Sequence, residues 1–173
     1  MSFETRLKVG SIGERLVDAF IRQQGYVPYY PDTGMRHPFD RLIASPDKRR
    51  LCVVEVKTKP RREAYDDTGI DECHFNDYEH ITTTYAIPLF LAFVDAKVGA
   101  IYGNRWHELL KPRDRREYLT LPNGEQVCVG GACYPWHCRG IVYFPRDAMR
   151  TLHVLTEGER KELLALRTSA WRS

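Results

Sequence analysis

The sequence predicts a mixed α/β (α+β) domain, and three observations lead there. An amphipathic run of helical period stands near the N-terminus. A series of short apolar, β-branched runs follows it. Further helical patterns separate those runs, so that helix, strands, helix and strands alternate with no repeat, low-complexity tract or long linker between them. The 173 residues suffice for one domain with a real core, read as 1–173.

The elements come in this order. Ser11 opens a helix that runs to Gln24 and stops at Gly25. Ser11 with Glu14 fits a capping box, Gly25 fits a C-terminal stop, and Ile12, Leu16, Val17, Phe20 and Ile21 form the apolar face. Tyr26 to Tyr30 is a short extended piece. Phe39 to Ala44 and Leu51 to Thr58 are strands, joined by the turn SPDKRR into a hairpin. Pro60 to Gly69 reads as a polar loop and Asp71 to Thr84 as a helix. PLFLAFVD, from Pro88 to Asp95, is apolar enough for a central strand. Val98 to Tyr102 is a further strand, and Trp106 to Leu110 a helical turn. Tyr118 to Leu121 and Gln126 to Val129 flank Pro-Asn-Gly-Glu, a tight-turn signal. Ile141 to Phe144 is the last strand, and a final helix starts at Thr156 or Glu157 and ends near Leu166.

The composition, 43% apolar and 28% charged, is that of an ordinary globular protein. No run of about 18 apolar residues marks a membrane span, and MSFETRLKVG has no apolar signal core. Five cysteines, without the spacing of a disulfide scaffold, favour a reducing compartment. A cytoplasmic protein without a membrane partner is expected. The net charge is only +3, but the cations cluster at 48–50, at 57–62 and at 111–116. Such clusters suit a polyanion, or are solvated loops.

The stretch LCVVEVKTKP holds the candidate chemistry. Residues two apart on a strand share a face, so Glu55 and Lys57 point the same way, about 7 Å apart along the backbone. The hairpin brings Asp40 beside them. Two carboxylates and a lysine suit phosphodiester hydrolysis: carboxylate oxygens hold Mg²⁺, and a lysine orients or deprotonates water or stabilises developing charge. Each residue also has a plainer role available. Glu55 and Lys57 make an ion pair on a solvent face, Asp40 begins a strand, and Glu14 is a helix cap.

His37-Pro38-Phe39-Asp40, fourteen intervening residues and Glu55-Val56-Lys57, behind a helix that carries Glu14, resemble the PD-(D/E)XK nuclease superfamily. The pattern looks most like the archaeal-type Holliday junction resolvase branch and related phage nucleases. It covers roughly residues 10–103, leaving 104–173 as a C-terminal elaboration with a β-hairpin and a helix. The proline stands two residues before Asp40 rather than next to it, a departure the superfamily tolerates. The resemblance implies a restriction-endonuclease-like core, a mixed sheet flanked by helices. It implies that Asp40 and Glu55 bind Mg²⁺ or Mn²⁺ with the Val56 carbonyl as a further ligand. Lys57 is then the catalytic lysine, and Glu14 supports the metal directly or through water. The implied activity is a metal-dependent DNA endonuclease, structure-selective and resolvase-like. Since junction resolution takes two cuts, a homodimer follows.

Lys59, Arg61, Arg62 and Tyr65 follow the catalytic strand and Arg36 precedes Asp40, all placed to meet a branched or duplex DNA backbone. Cys128, Cys133 and Cys138, with His137, raise a zinc site, but their spacing fits ordinary thiols better. Other readings are a restriction- or repair-type endonuclease, and a non-catalytic nucleic-acid-binding protein on the same fold.

Overall fold

The computed structural model describes residues 2–32, 37–62 and 65–169. Helix α1 (Phe3–Gln23) leads into β1 (Val27–Tyr29), β2 (Arg41–Ala44), β3 (Leu51–Thr58) and β4 (Asp67–Asp71). Helix α2 (Glu72–Thr84), strands β5 (Leu89–Asp95) and β6 (Ala100–Arg105) and the short α3 (Trp106–Leu109) come next. Small strands follow: β7 (Arg113–Asp114), β8 (Glu117–Thr120), β9 (Gln126–Gly130), β10 (Cys133–Tyr134), β11 (Trp136–Cys138) and β12 (Ile141–Pro145). A 3₁₀ turn, β13 (Arg150–Val154) and α4 (Glu157–Ser169) complete the chain.

The main sheet has six strands in the order β1-β2-β3-β5-β6-β13. Only the β3–β5 pair is parallel; α2 lies in the crossover between them, as a parallel connection requires. The fold is thus α+β, a mixed sheet flanked by helices. Its central strands are apolar on both faces because both are covered. Val53, Leu89, Leu91 and Phe93 pack with Tyr78 and Ile81 of α2, Trp106 of α3 and Phe144 of β12. Val54, Val56, Ala92 and Val94 face the other way, onto Leu16, Val17 and Ile21 of α1 and Leu163 of α4. A three-stranded sheet, β11-β12-β4, lies on the α2 side.

Several elements differ from the expectation. Helix α1 begins at Phe3, not at Ser11: the Ser2 hydroxyl accepts the Thr5 N–H at 3.2 Å and is the cap. Ser11 and Glu14 lie mid-helix, so the capping box does not exist. The first turns show no apolar pattern because they project beyond the sheet, leaving Phe3 and Leu7 exposed. Strand β4 occupies the end of the expected polar loop. Its Asp67 is fully buried, which a polar residue in a charged stretch does not announce. Ile141–Pro145 is not the last strand. Strand β13 follows it and forms one edge of the main sheet, and α4 packs on α1. Residues beyond 104 therefore complete the central architecture.

Helix α1 lies close on β3 at Gly13. A Cβ on Gly13 would stand 1.8 Å from Thr58 Oγ1 and 2.9 Å from Thr58 Cβ, so no larger residue fits without moving the helix. At Gly10, one turn earlier, nothing lies within 4 Å. Gly13→Ala is expected to destabilise by about 1–3 kcal/mol through overpacking. Gly10→Ala, on the same helix, is expected to stabilise by about 0.5–1 kcal/mol through helix propensity. Paired urea denaturation curves check both signs.

Candidate active site

Strand β2 is half as long as β3, and the site lies where β2 runs out. Arg41 pairs with Val54, so β3 continues from Glu55 to Thr58 with no β2 backbone beside it. The Asp40 carboxylate takes that place: its Oδ2 accepts the Val56 N–H at 2.7 Å. A strand residue turns its N–H and C=O to the same side, so the Val56 carbonyl faces this notch as well. Glu55 and Lys57 stand on the α2 face of β3, and Lys57 Nζ lies 2.7 Å from Glu55 Oε1. Glu55 is buried and Lys57 half-buried. The structure therefore brings Asp40, Glu55, Val56 and Lys57 together.

Electrostatics mark these carboxylates as held close against their mutual repulsion. Burial, then the Glu55 charge, push the Asp40 carboxyl up to about 6, against the opposing pull of the Val56 N–H, Arg41 and Lys57. Glu14 is raised too, by burial and then by Asp40. The donor chemistry fits a hard divalent cation, which would relieve the repulsion. Among the described residues no group of three His, Cys, Asp or Glu side chains is placed to hold an ion. Two carboxylates and a carbonyl suit Mg²⁺, which keeps several waters and accepts substrate oxygens.

Glu14 feels the charges of Asp40 and Lys57 and also pairs with Arg41. Its Oε2 lies 3.4 Å from Arg41 Nη2, and Arg41 Nε lies 2.7 Å from Asp18 Oδ1, an ion pair without hydrogen-bond alignment. The Arg41 side chain is 1% exposed, so the two α1 carboxylates neutralise a buried guanidinium immediately after Asp40. Neither Arg41 nor Asp18 was anticipated from the sequence. A buried arginine on a four-residue strand leaves no pattern, although its place next to Asp40 is a signal in hindsight.

Tyr78 of α2 is the other unanticipated member. It is 1% exposed, with the Lys57 ammonium 6.0 Å from its ring centroid. Burial, then the Glu55 carboxylate and, more weakly, Asp40 lift its phenol above the ordinary range. Its hydroxyl lies against Glu55, close enough for that carboxylate to act on it as an acceptor but short of full hydrogen-bond geometry.

The residues expected to bind DNA are differently disposed. Arg61 Nη1 pairs with Asp66, and its N–H donates to Asp95 Oδ2 at 3.0 Å. Arg62 makes a two-point contact with Asp67, Nε to Oδ1 at 2.6 Å and Nη2 to Oδ2 at 2.5 Å. The Tyr134 hydroxyl also donates to Asp67, at 2.8 Å. The Arg62 guanidinium is stacked among Tyr65, Trp136 and Tyr143, 3.7–4.8 Å from their ring centroids. Arg62 is therefore a structural pin, and Tyr65 part of its aromatic cage. Lys59 is partly buried, and desolvation lowers its ammonium pKa more than Asp71 raises it. Arg36 lies outside the described residues. Cys128, Cys133 and Cys138 sit on β9, β10 and β11, strands of three separate small sheets.

No family model matches the sequence, and neither does any curated protein. Among solved structures, the chain is similar to the Holliday junction resolvase Hjc of Archaeoglobus fulgidus. The identity is 14%, the overlap covers 61% of this chain and 83% of that one, and the TM-score is 0.46. A likeness of that degree decides neither activity nor substrate. Among the described residues no helix is long and apolar enough to cross a membrane.

Two outcomes follow from the geometry. Between the unfolded Asp value of about 4 and the folded value of about 6, the folded state holds a proton that the unfolded state has lost. Metal-free protein should thus lose stability as pH rises through that window, by at most about 3 kcal/mol. Asp40→Asn should flatten the slope and melt higher at pH 7. Thermal melts from pH 4 to 8 in a chelator check this; an unchanged slope in Asp40→Asn refutes it. Arg62→Ala should cost about 3–5 kcal/mol, because it leaves the buried Asp67 charge with the Tyr134 hydroxyl but no cation. Chemical denaturation of that variant measures the loss.

Proposed function

We propose that the protein is a metal-dependent DNA endonuclease, structure-selective and Holliday junction resolvase-like, acting as a homodimer. One observation carries the reading: two carboxylates, Asp40 and Glu55, meet in the notch beyond β2 with Lys57 2.7 Å from one of them. A solvent-face ion pair would not bury Glu55 to 7% exposure, and a simple strand start would not aim Asp40 at the Val56 N–H. The motif resemblance adds the class of chemistry.

Asp40, Glu55 and the Val56 carbonyl would hold Mg²⁺ or Mn²⁺. When bound, the ion polarises the phosphate and makes a coordinated water a better nucleophile. The remaining work belongs to the chain. The Val56 N–H fixes the Asp40 carboxylate through one oxygen and leaves the other free. Lys57, poised at the end of the strand, orients the attacking water or stabilises charge on the phosphate oxygens. Glu14 supports the site at one remove: with Asp18 it neutralises Arg41, and so anchors the chain next to Asp40. A junction needs two cuts, which two such sites in a dimer would supply.

Cleavage of labelled four-way junction, flap, single-stranded and duplex DNA, with Mg²⁺ and with EDTA, tests the proposal. Paired symmetric nicks on the junction are expected, abolished by EDTA and in Glu55→Ala. Lys57→Ala should lower the rate by about 10²–10³-fold. Metal-dependent cutting of another substrate would keep the nuclease and discard the resolvase, as for a restriction- or repair-type enzyme. Binding without cutting, unchanged in Glu55→Ala, would make the protein a non-catalytic DNA binder.

A further inference from the structure

Glu55 is 7% exposed, and a carboxylate at that depth needs a donor. In this structure the donor is Lys57, whose side chain is 20% exposed and 2.7 Å away. The nuclease reading gives Lys57 a second task, at the phosphate or the attacking water. When Lys57 turns to the substrate, the Glu55 oxygen it held loses its donor, whatever the other oxygen holds.

Tyr78 lies on the other side of this pair. Its ring is packed under the Lys57 ammonium, and its hydroxyl is sealed from water beside Glu55. Among the described residues that hydroxyl reaches full hydrogen-bond geometry with no acceptor, although Glu55 lies close enough to act on it as one. A buried O–H left short of a full hydrogen bond costs free energy, and phenylalanine would fill the same space without that cost. The hydroxyl therefore asks for an explanation beyond packing.

We propose that Tyr78 is a positioning residue for Glu55: its hydroxyl donates to the carboxylate when Lys57 leaves it for the DNA phosphate. The inference rests on the nuclease reading for the departure of Lys57, but the donor exchange itself can be measured without activity. In the resting protein Lys57 occupies Glu55 and Tyr78 waits. With Lys57 displaced, the Tyr78 O–H needs only a small side-chain adjustment to reach the carboxylate. Glu55 then keeps its orientation, and Lys57 can work on the substrate.

The test is a double-mutant cycle in metal-free buffer: wild type, Tyr78→Phe, Lys57→Met and the double variant, each unfolded by denaturant. Tyr78→Phe should be neutral or stabilising in wild type, because it removes a hydroxyl short of a full hydrogen bond. In the Lys57→Met background the same change should lower the folding equilibrium constant by about tenfold. Equal effects in both backgrounds would overturn the exchange. Direct Mn²⁺ titration followed by electron paramagnetic resonance gives a second readout. Tyr78→Phe should weaken Mn²⁺ binding several-fold and lower kcat with KM for DNA unchanged; unaltered Mn²⁺ affinity would also overturn the proposal. Failure of the nuclease reading shows separately, as wild type that neither binds Mn²⁺ nor cuts DNA, while the cycle still decides whether Tyr78 takes over Glu55.

Discussion

The site depends on a mismatch in strand length. Strand β2 begins only at Arg41 while β3 runs four residues past Val54, the partner of Arg41, and the uncovered backbone of β3 must find a partner. Asp40 supplies it with a side chain instead of a main chain. That substitution puts a carboxylate, rather than another peptide group, beside Glu55 and the Val56 carbonyl. Had β2 been longer, Val56 would be an ordinary ladder residue and the notch would be closed.

Holding two carboxylates in that notch opposes folding, and the surrounding structure offsets it. Asp40 is pushed toward neutrality, Lys57 neutralises Glu55, and the buried Arg41 guanidinium lies next in the chain. Arg41 in turn is held by Asp18 and Glu14 from the far face of the sheet. This works only because α1 lies close on β3, which Gly13 permits. A glycine, an arginine and a pair of acids on one helix thus have a common purpose: they anchor the chain that presents Asp40. Carboxylates held against their own repulsion mark a candidate functional site rather than a purely structural one.

The basic loop after β3 shows how charge alone misleads. Arg61 and Arg62 read as a surface for a polyanion, yet each has its own aspartate five residues on, and Arg62 is stacked among three aromatic rings. Their positive charge is largely spent within the protein. Trp136 and Tyr143, from the C-terminal third, build that cage. Residues past 104 are therefore part of the architecture rather than an attachment, as β13 at the sheet edge also shows.

Local pattern was sufficient for what local physics controls. The long strands β3 and β5 and the hairpin β8–β9 were legible because alternation, apolar runs and Pro-Asn-Gly are short-range signals. Asp40, Glu55 and Lys57 were legible as a group because a hairpin's register follows from its turn. What escaped was set at long range. The helix start at Phe3 has a cap but no buried face. Strand β4 hides behind a buried aspartate held by Arg62, five residues back, and by Tyr134, 67 residues on. Glu14 looked like a cap until the fold placed Arg41 against it. Tyr78 carries no signal of its own in the sequence, and only the crossover laid its helix beside Lys57. The sequence by itself determined which residues were candidates for chemistry. Only the tertiary structure decided which of them stand face to face, because burial and ion pairing belong to contacts between segments and not to any one segment.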